Sequence, residues 1–159
     1  MSYFSTSRNV ELSLLKYLED SLNTDWPGTS TLKSFKQVYS KDVNLPIVCV
    51  RLADTSSTRL EVGNTTLDNR YLLIVDLFTR SDSQRLDMSD YLLNKLKDSW
   101  VHYTFSHTSG SPTTLTTSAN GRDTVTDFVG NSRLDFGETT DVKDKFRQTI
   151  SIRIRHKEA

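Results

Sequence analysis

"RYLLIVDLFTRSDSQRLDMSDYLLNKLKDSW", residues 70–100, changes its period halfway, and that change decides the fold. From Arg70 to Thr79 the residues alternate, with Tyr71, Leu73, Val75 and Leu77 on one side and Leu72, Ile74 and Asp76 on the other. A run that is apolar on both sides predicts a strand inside a sheet. After Ser81 the apolar residues recur at three- and four-residue steps. Leu86, Leu93 and Trp100 form one row flanked by Met88, Leu92 and Leu96, and Asp87, Asp90, Asn94, Lys97 and Asp98 fill the other half of the circumference. This pattern predicts an amphipathic helix. Ser81 and Gln84 have the spacing of a capping box, in which each side chain satisfies a free backbone N–H of the first turn. Asp82 and Asp87 lie near the positive end of the helix dipole, where a carboxylate is favoured. These four residues therefore have a sufficient role in starting a helix.

Upstream, Val10, Leu14, Leu15, Leu18 and Leu22 predict a first helix over about 7–22, capped by Thr6 or Ser7, with Glu11, Lys16, Glu19 and Asp20 on its polar side. "NTDWPGTS" (23–30) ends it, because Pro27 and Gly28 break regular structure. "TLKSFKQVYS" (31–40) alternates loosely and predicts a short strand, and "LPIVCVRLAD" (45–54) is a β-branched run expected in a central one. "TSSTRLEVGNTTLDN" (55–69) reads as a polar turn, a short apolar piece around Leu60 and Val62, and a Gly-Asn loop.

Downstream, "VHYTFSH" (101–107) predicts a strand, and residues 107–122, rich in Ser, Thr, Gly and Asn, predict an exposed loop or hairpin. "TVTDFVGNSRLDF" (124–136) predicts two short strands joined near Gly130 and Asn131, followed by a polar turn, "GETTDVKD". In "KFRQTISIRIRHK" (145–157), Phe146, Ile150, Ile152 and Ile154 face one way and Arg147, Thr149, Ser151, Arg153 and Arg155 the other. The whole chain, 1–159, is expected to be one α+β domain. It has a mostly antiparallel or mixed sheet, two main helices on one face, and a long loop or hairpin.

Twenty basic residues balance twenty acidic ones, with a pI near 6.8, which excludes a broad electrostatic grip on nucleic acid. Cys49 is the single cysteine, so no disulfide framework exists, and its apolar neighbours mark it as a small buried hydrophobe. No apolar run has the length to span a bilayer, and "MSYFSTSRNVELSLL" lacks the pattern of a secretory signal. The sequon at Asn64 then reads as a polar loop, and the chain as cytoplasmic in type.

His102 and His107 lie five apart in a predicted strand and face opposite ways, a poor geometry for one metal. Ser13–Lys16 and Ser30–Lys33 have the Ser-x-x-Lys spacing, but the partner motifs of acylating serines are missing, and Ser13 falls on the polar side of its helix. No phosphate-binding glycine motif is present. A metal-dependent nuclease would need Asp76 together with Asp141 and Lys143, yet Asp141 sits in a charged turn with no apolar strand beneath it. Asp82, Asp87 and Asp90 are explained by the helix. No catalytic set, cofactor or metal site is expected. Arg147, Arg153 and Arg155 lack interleaved aromatics for stacking bases and suit edge protection or an interface.

The middle of the chain resembles the tail terminator, or tail completion, proteins of tailed bacteriophages. The resemblance rests on Pro46 to Arg51, on Arg59-Leu60-Glu61-Val62-Gly63-Asn64, and on Asp76 to Leu92, where a strand ending in an aromatic runs into a Gln-Arg-x-Asp helix start. It implies a virion protein of the tail neck, assembled in the host cytoplasm. Such a subunit forms a ring with its own copies, typically a hexamer, at the head-proximal end of the tail tube. The ring would stop tube growth and dock the head connector, with genome DNA passing its lumen without sequence-specific binding and no membrane involved. Another neck or head-completion ring subunit is the near alternative and a nuclease the distant one. Arg80, Arg85 and Asp87 are expected where a neighbouring subunit's Arg59 and Glu61 would pair, with Arg147, Arg153 and Arg155 as further interface candidates.

Overall fold

A computed structural model describes residues 6–33, 35–40, 42–63, 65, 67–107, 115–134 and 143–157. Helix α1 spans Thr6–Asp25, followed by strand β1 (Ser30–Leu32), a one-turn helix α2 (Phe35–Val38) and strands β2 (Ile47–Arg59) and β3 (Leu67–Thr79). Helix α3 (Asp82–Leu96) leads into β4 (Trp100–His107), β5 (Leu115–Leu134) and β6 (Phe146–Lys157). The fold is α+β. Six strands form one mixed sheet in the order β1-β2-β3-β6-β5-β4, parallel at β1–β2 and antiparallel at every other step. The last strand in the chain therefore sits in the interior of the sheet, between β3 and β5.

The alternation in β3 and β6 sets the main core as expected. Tyr71, Leu73, Val75 and Leu77 join Ile150, Ile152 and Ile154 on the face that carries Val10, Leu14, Leu18 and Leu22 of α1 and Met88, Leu92 and Leu96 of α3. The helices also hold each other. Tyr17 donates to the Lys95 carbonyl, and Tyr91 donates back to the Ser21 carbonyl and to Asp25. On the opposite face, Ile47, Cys49 and Phe78 pack with Val38 of α2. That burial explains why residues 31–40 do not form the single short strand expected. Only Ser30–Leu32 pair, and the following residues turn back so that Val38 can cover Phe78.

Helix α3 begins as its capping box requires: Ser81 Oγ accepts from the Gln84 N–H at 3.2 Å. The Gln84 side chain reaches back one residue further than expected, accepting from the Arg80 N–H at 2.9 Å. The buried face is rotated from the expected row. Arg85, Met88, Ser89, Leu92 and Leu96 are buried, Leu86 is half exposed, and Trp100 already belongs to β4. Ser89 turns inward because its hydroxyl accepts from Gln148 of β6.

Two more expectations change. β2 runs on through Arg59, absorbing the expected polar turn at Thr55. Residues Leu115–Leu134 form one 20-residue strand, absorbing both the second half of the Ser/Thr-rich stretch and the expected break at Gly130. Its register shifts beside Thr126 and Val129 are bulges, which let a long polar strand keep pairing with β6. The flanks of the 107–122 stretch are the two strands of an antiparallel hairpin, with residues 108–114 outside the described ones.

Helix α1 touches both β4 and β2, which stand four positions apart in the sheet. At ~4.8 Å per position a flat sheet would separate them by ~19 Å, more than the ~10–12 Å width of a helix, so the sheet curls around α1. Polar residues of α1 meet the open backbone at both ends of the curl. On β4, Ser13 Oγ accepts from the Tyr103 N–H at 2.8 Å, Asn9 from the Phe105 N–H, and Arg8 donates to the Phe105 carbonyl. On β2, Glu11 accepts from the Leu52 N–H at 2.8 Å. Ser13, expected on the polar side, is fully buried for this reason.

Replacing Ser13 with Ala leaves a part-buried strand N–H without its acceptor and is expected to destabilise the fold by about 1–3 kcal/mol in urea unfolding. Cys49 offers a second check. Burial first, and the Asp76 charge second, push its thiol up to about 11. A thiol reagent at roughly pH 8 should leave the native protein unmodified and titrate one thiol per chain once the protein is denatured.

Candidate functional site

The eight charged residues singled out in the sequence fall into three places. Arg59 and Glu61 lie at the tip of the β2–β3 hairpin, exposed. The β3–β6 pairing begins at Arg70, so Ser57–Arg59 and Leu67–Asn69 form a two-stranded arm beyond the body of the sheet. Gly63, at a φ of 89°, takes the left-handed conformation that turns the arm around. Three large apolar side chains stand open there: Leu60, Leu67 and Val62, the last wholly exposed.

Arg80, Arg85 and Asp87 lie at the other end of β3, about 40 Å from the tip along a 13-residue strand. They do not act as one patch. Arg80 and Asp87 are exposed, while Arg85 is buried and its guanidinium meets Asp82 at 2.5 Å within the same helix start.

The basic strip of β6 also divides. Arg155 pairs with Asp68 at 2.8 Å and Arg153 with Asp127 at 3.7 Å, both on the water-facing side. Arg147 is buried. It donates to Asp76 at 3.1 Å and lies over the Phe78 ring at 5.0 Å, so it serves the monomer's interior. Asp76 has no exposed surface. Arg51 Nε donates to its other oxygen at 3.2 Å, and the Thr149 hydroxyl adds a 2.8 Å bond. Two arginines and a threonine thus satisfy this buried carboxylate as part of the interior. Lys143, the other described member of the nuclease set, donates to the Val38 and Ser40 carbonyls at 2.6 Å, and Asp141 lies outside the described residues.

One constellation lies outside the sequence expectations. His102, Asp123 and His156 meet on the helix-facing side of β4, β5 and β6. Asp123 stands opposite Trp100 on one neighbour and His156 on the other. His102 falls in the bulge between Val101 and Tyr103, opposite Asn120 and Gly121. Gly121, at a φ of 82°, has the left-handed backbone that such a bulge uses. His102 Nδ1 lies 2.9 Å from Asp123 Oδ2 and 3.1 Å from Oδ1, and His156 Nδ1 lies 2.9 Å from Oδ1. The two rings sit 3.9 Å apart, tilted by 36°. Burial pushes the Asp123 carboxyl up, but bonds from His102 and then His156 outweigh it and hold the group below its usual value. Comparing His102 with His107 missed this site, because the partner is His156, supplied by a strand 54 residues later (156 − 102).

No protein-family model matches the chain, and no curated protein matches it either. Among the described residues, no helix is long and apolar enough to cross a membrane.

Removing the Asp76 carboxylate as Asp76→Ala takes from the buried Arg147 its 3.1 Å partner and leaves it the longer contact to Asp144 at 3.7 Å. The expected loss is about 3–5 kcal/mol in urea unfolding, while Arg155→Ala, on the wet side, should cost less than about 1 kcal/mol.

Proposed function

We propose that this chain is a structural subunit that assembles with its own copies into a ring, the tail terminator of a tailed phage. The observation that carries this reading is the β2–β3 arm. A two-stranded ribbon without a covering layer is marginally stable in water, and this one carries Leu60, Val62 and Leu67 into solvent. Such an arm is best accounted for by a partner that covers it.

The charges indicate how copies would meet. Arg59 and Glu61 stand at one end of β3, and Arg80 and Asp87 at the other, one charge of each sign at either end. Contact between opposite ends of successive subunits is heterologous, and heterologous contacts close into rings when the rotation allows. Arg59 would face Asp87 of the next copy, and Glu61 its Arg80. Because Arg85 is engaged with Asp82, Arg80 takes its place in this pairing. The sequence resemblance around Arg59–Asn64 and Asp76–Leu92 supplies the identity of the ring. It would end the tail tube, carry the head connector on its other surface, and let DNA through its lumen.

Native mass spectrometry of the purified protein, alone and with tail-tube rings, tests this. The wild type is expected to form a closed oligomer, and the double variant Leu60→Ser/Val62→Ser to remain monomeric with unchanged melting. Glu61→Arg should weaken assembly, and Arg80→Glu added to it should restore it. A wild type that stays monomeric beside tube rings, or an arm variant that assembles normally, would overturn the reading.

A further inference from the structure

We infer that His102, Asp123 and His156 form a binding site for one divalent transition-metal ion of the zinc class, fastening β4, β5 and β6 together. Three observations meet here. The ligand atoms of all three side chains lie within 4.8 Å of one another, and both Nδ1 atoms point at one carboxylate. Each residue comes from a different strand, so the sheet's hydrogen bonding fixes the donors before any ion arrives. Asp123 is fully buried, and among the described residues no lysine or arginine bonds to it. Among the described residues, its charge complement comes from imidazole nitrogen, the donor that zinc, copper and nickel share.

The donor set also selects the ion. Two nitrogens and one oxygen are a poor match for Ca²⁺ or Mg²⁺, which take oxygen ligands, and a good one for a tetrahedral zinc centre. Donors around such an ion at ~2.0–2.1 Å stand ~3.4 Å apart. Here the nitrogen–oxygen gaps are 2.9–3.1 Å, spanned by hydrogen bonds. Widening those gaps to fit an ion takes a few tenths of an ångström, and each neutral imidazole then carries its one hydrogen on Nε2, any proton displaced from Nδ1 passing to that atom or to solvent. His156 retains 11% of its side-chain surface, against 3% for His102 and none for Asp123, so the ion enters from the β6 side. Three protein ligands leave a fourth position for water.

This inference is independent of ring assembly. The test uses the full chain without an affinity tag, stripped with chelator, dialysed against Zn²⁺ and analysed for bound metal. One equivalent per chain and a raised melting temperature are expected, because an ion that binds only the folded state stabilises it. In His156→Gln the stoichiometric uptake should be lost. Should that variant not fold, long-range ¹H–¹⁵N NMR of the wild-type histidine rings decides. Zn²⁺ must then move the Nδ1 resonances of His102 and His156 and leave those of His107 in place. No uptake by the wild type, full uptake by folded His156→Gln, or unmoved ring resonances would each overturn the site.

Discussion

The structure depends on one helix meeting the open backbone at both ends of a curled sheet. A strand edge presents N–H and C=O groups that must find partners or water, and an uncovered edge is an invitation to pair with another chain. In α1, Asn9 and Ser13 accept from β4 while Glu11 accepts from β2. The same helix inserts Val10, Leu14, Leu18 and Leu22 into the core. One element therefore supplies apolar fill and polar closure together, and the curl of the sheet follows from its reach.

The second face of the sheet obeys a different rule. An aspartate in the middle of the most apolar strand looks like an exception to burial, yet Asp76 lies between two arginines and a threonine from β2 and β6. Replacing such a cluster with hydrophobic residues of similar volume is often neutral or stabilising. What the cluster specifies is register, since a one-residue slip of β3 would move Asp76 into the helix-facing core.

Local pattern made some of this legible and long-range pairing hid the rest. β3, β6 and the start of α3 could be read directly, because a two-residue period and a Ser81–Gln84 cap are local signals. The first half of β5 could not, because its threonines, Asn120 and Gly121 describe a loop when read alone. Pairing with β4 overrides that tendency, and the bulge at His102 absorbs the misfit. Ser13 looked solvent-facing for the same reason: its partner, the Tyr103 backbone, is 90 residues away. His102, Asp123 and His156 are joined only by the register of three strands, which no spacing in the sequence encodes.

The place of β6 bears on how the molecule comes into being. During synthesis the β2–β3 ribbon and the β4–β5 ribbon can each close soon after leaving the ribosome, since their partners are adjacent in the chain. Neither belongs to a common sheet until Phe146–Lys157 has been made and slides between them. Nascent chains short of that point carry two exposed strand flanks, the species most open to wrong association. Completion then becomes a single late joining event, slow because its pairing with β3 joins residues about half the chain apart.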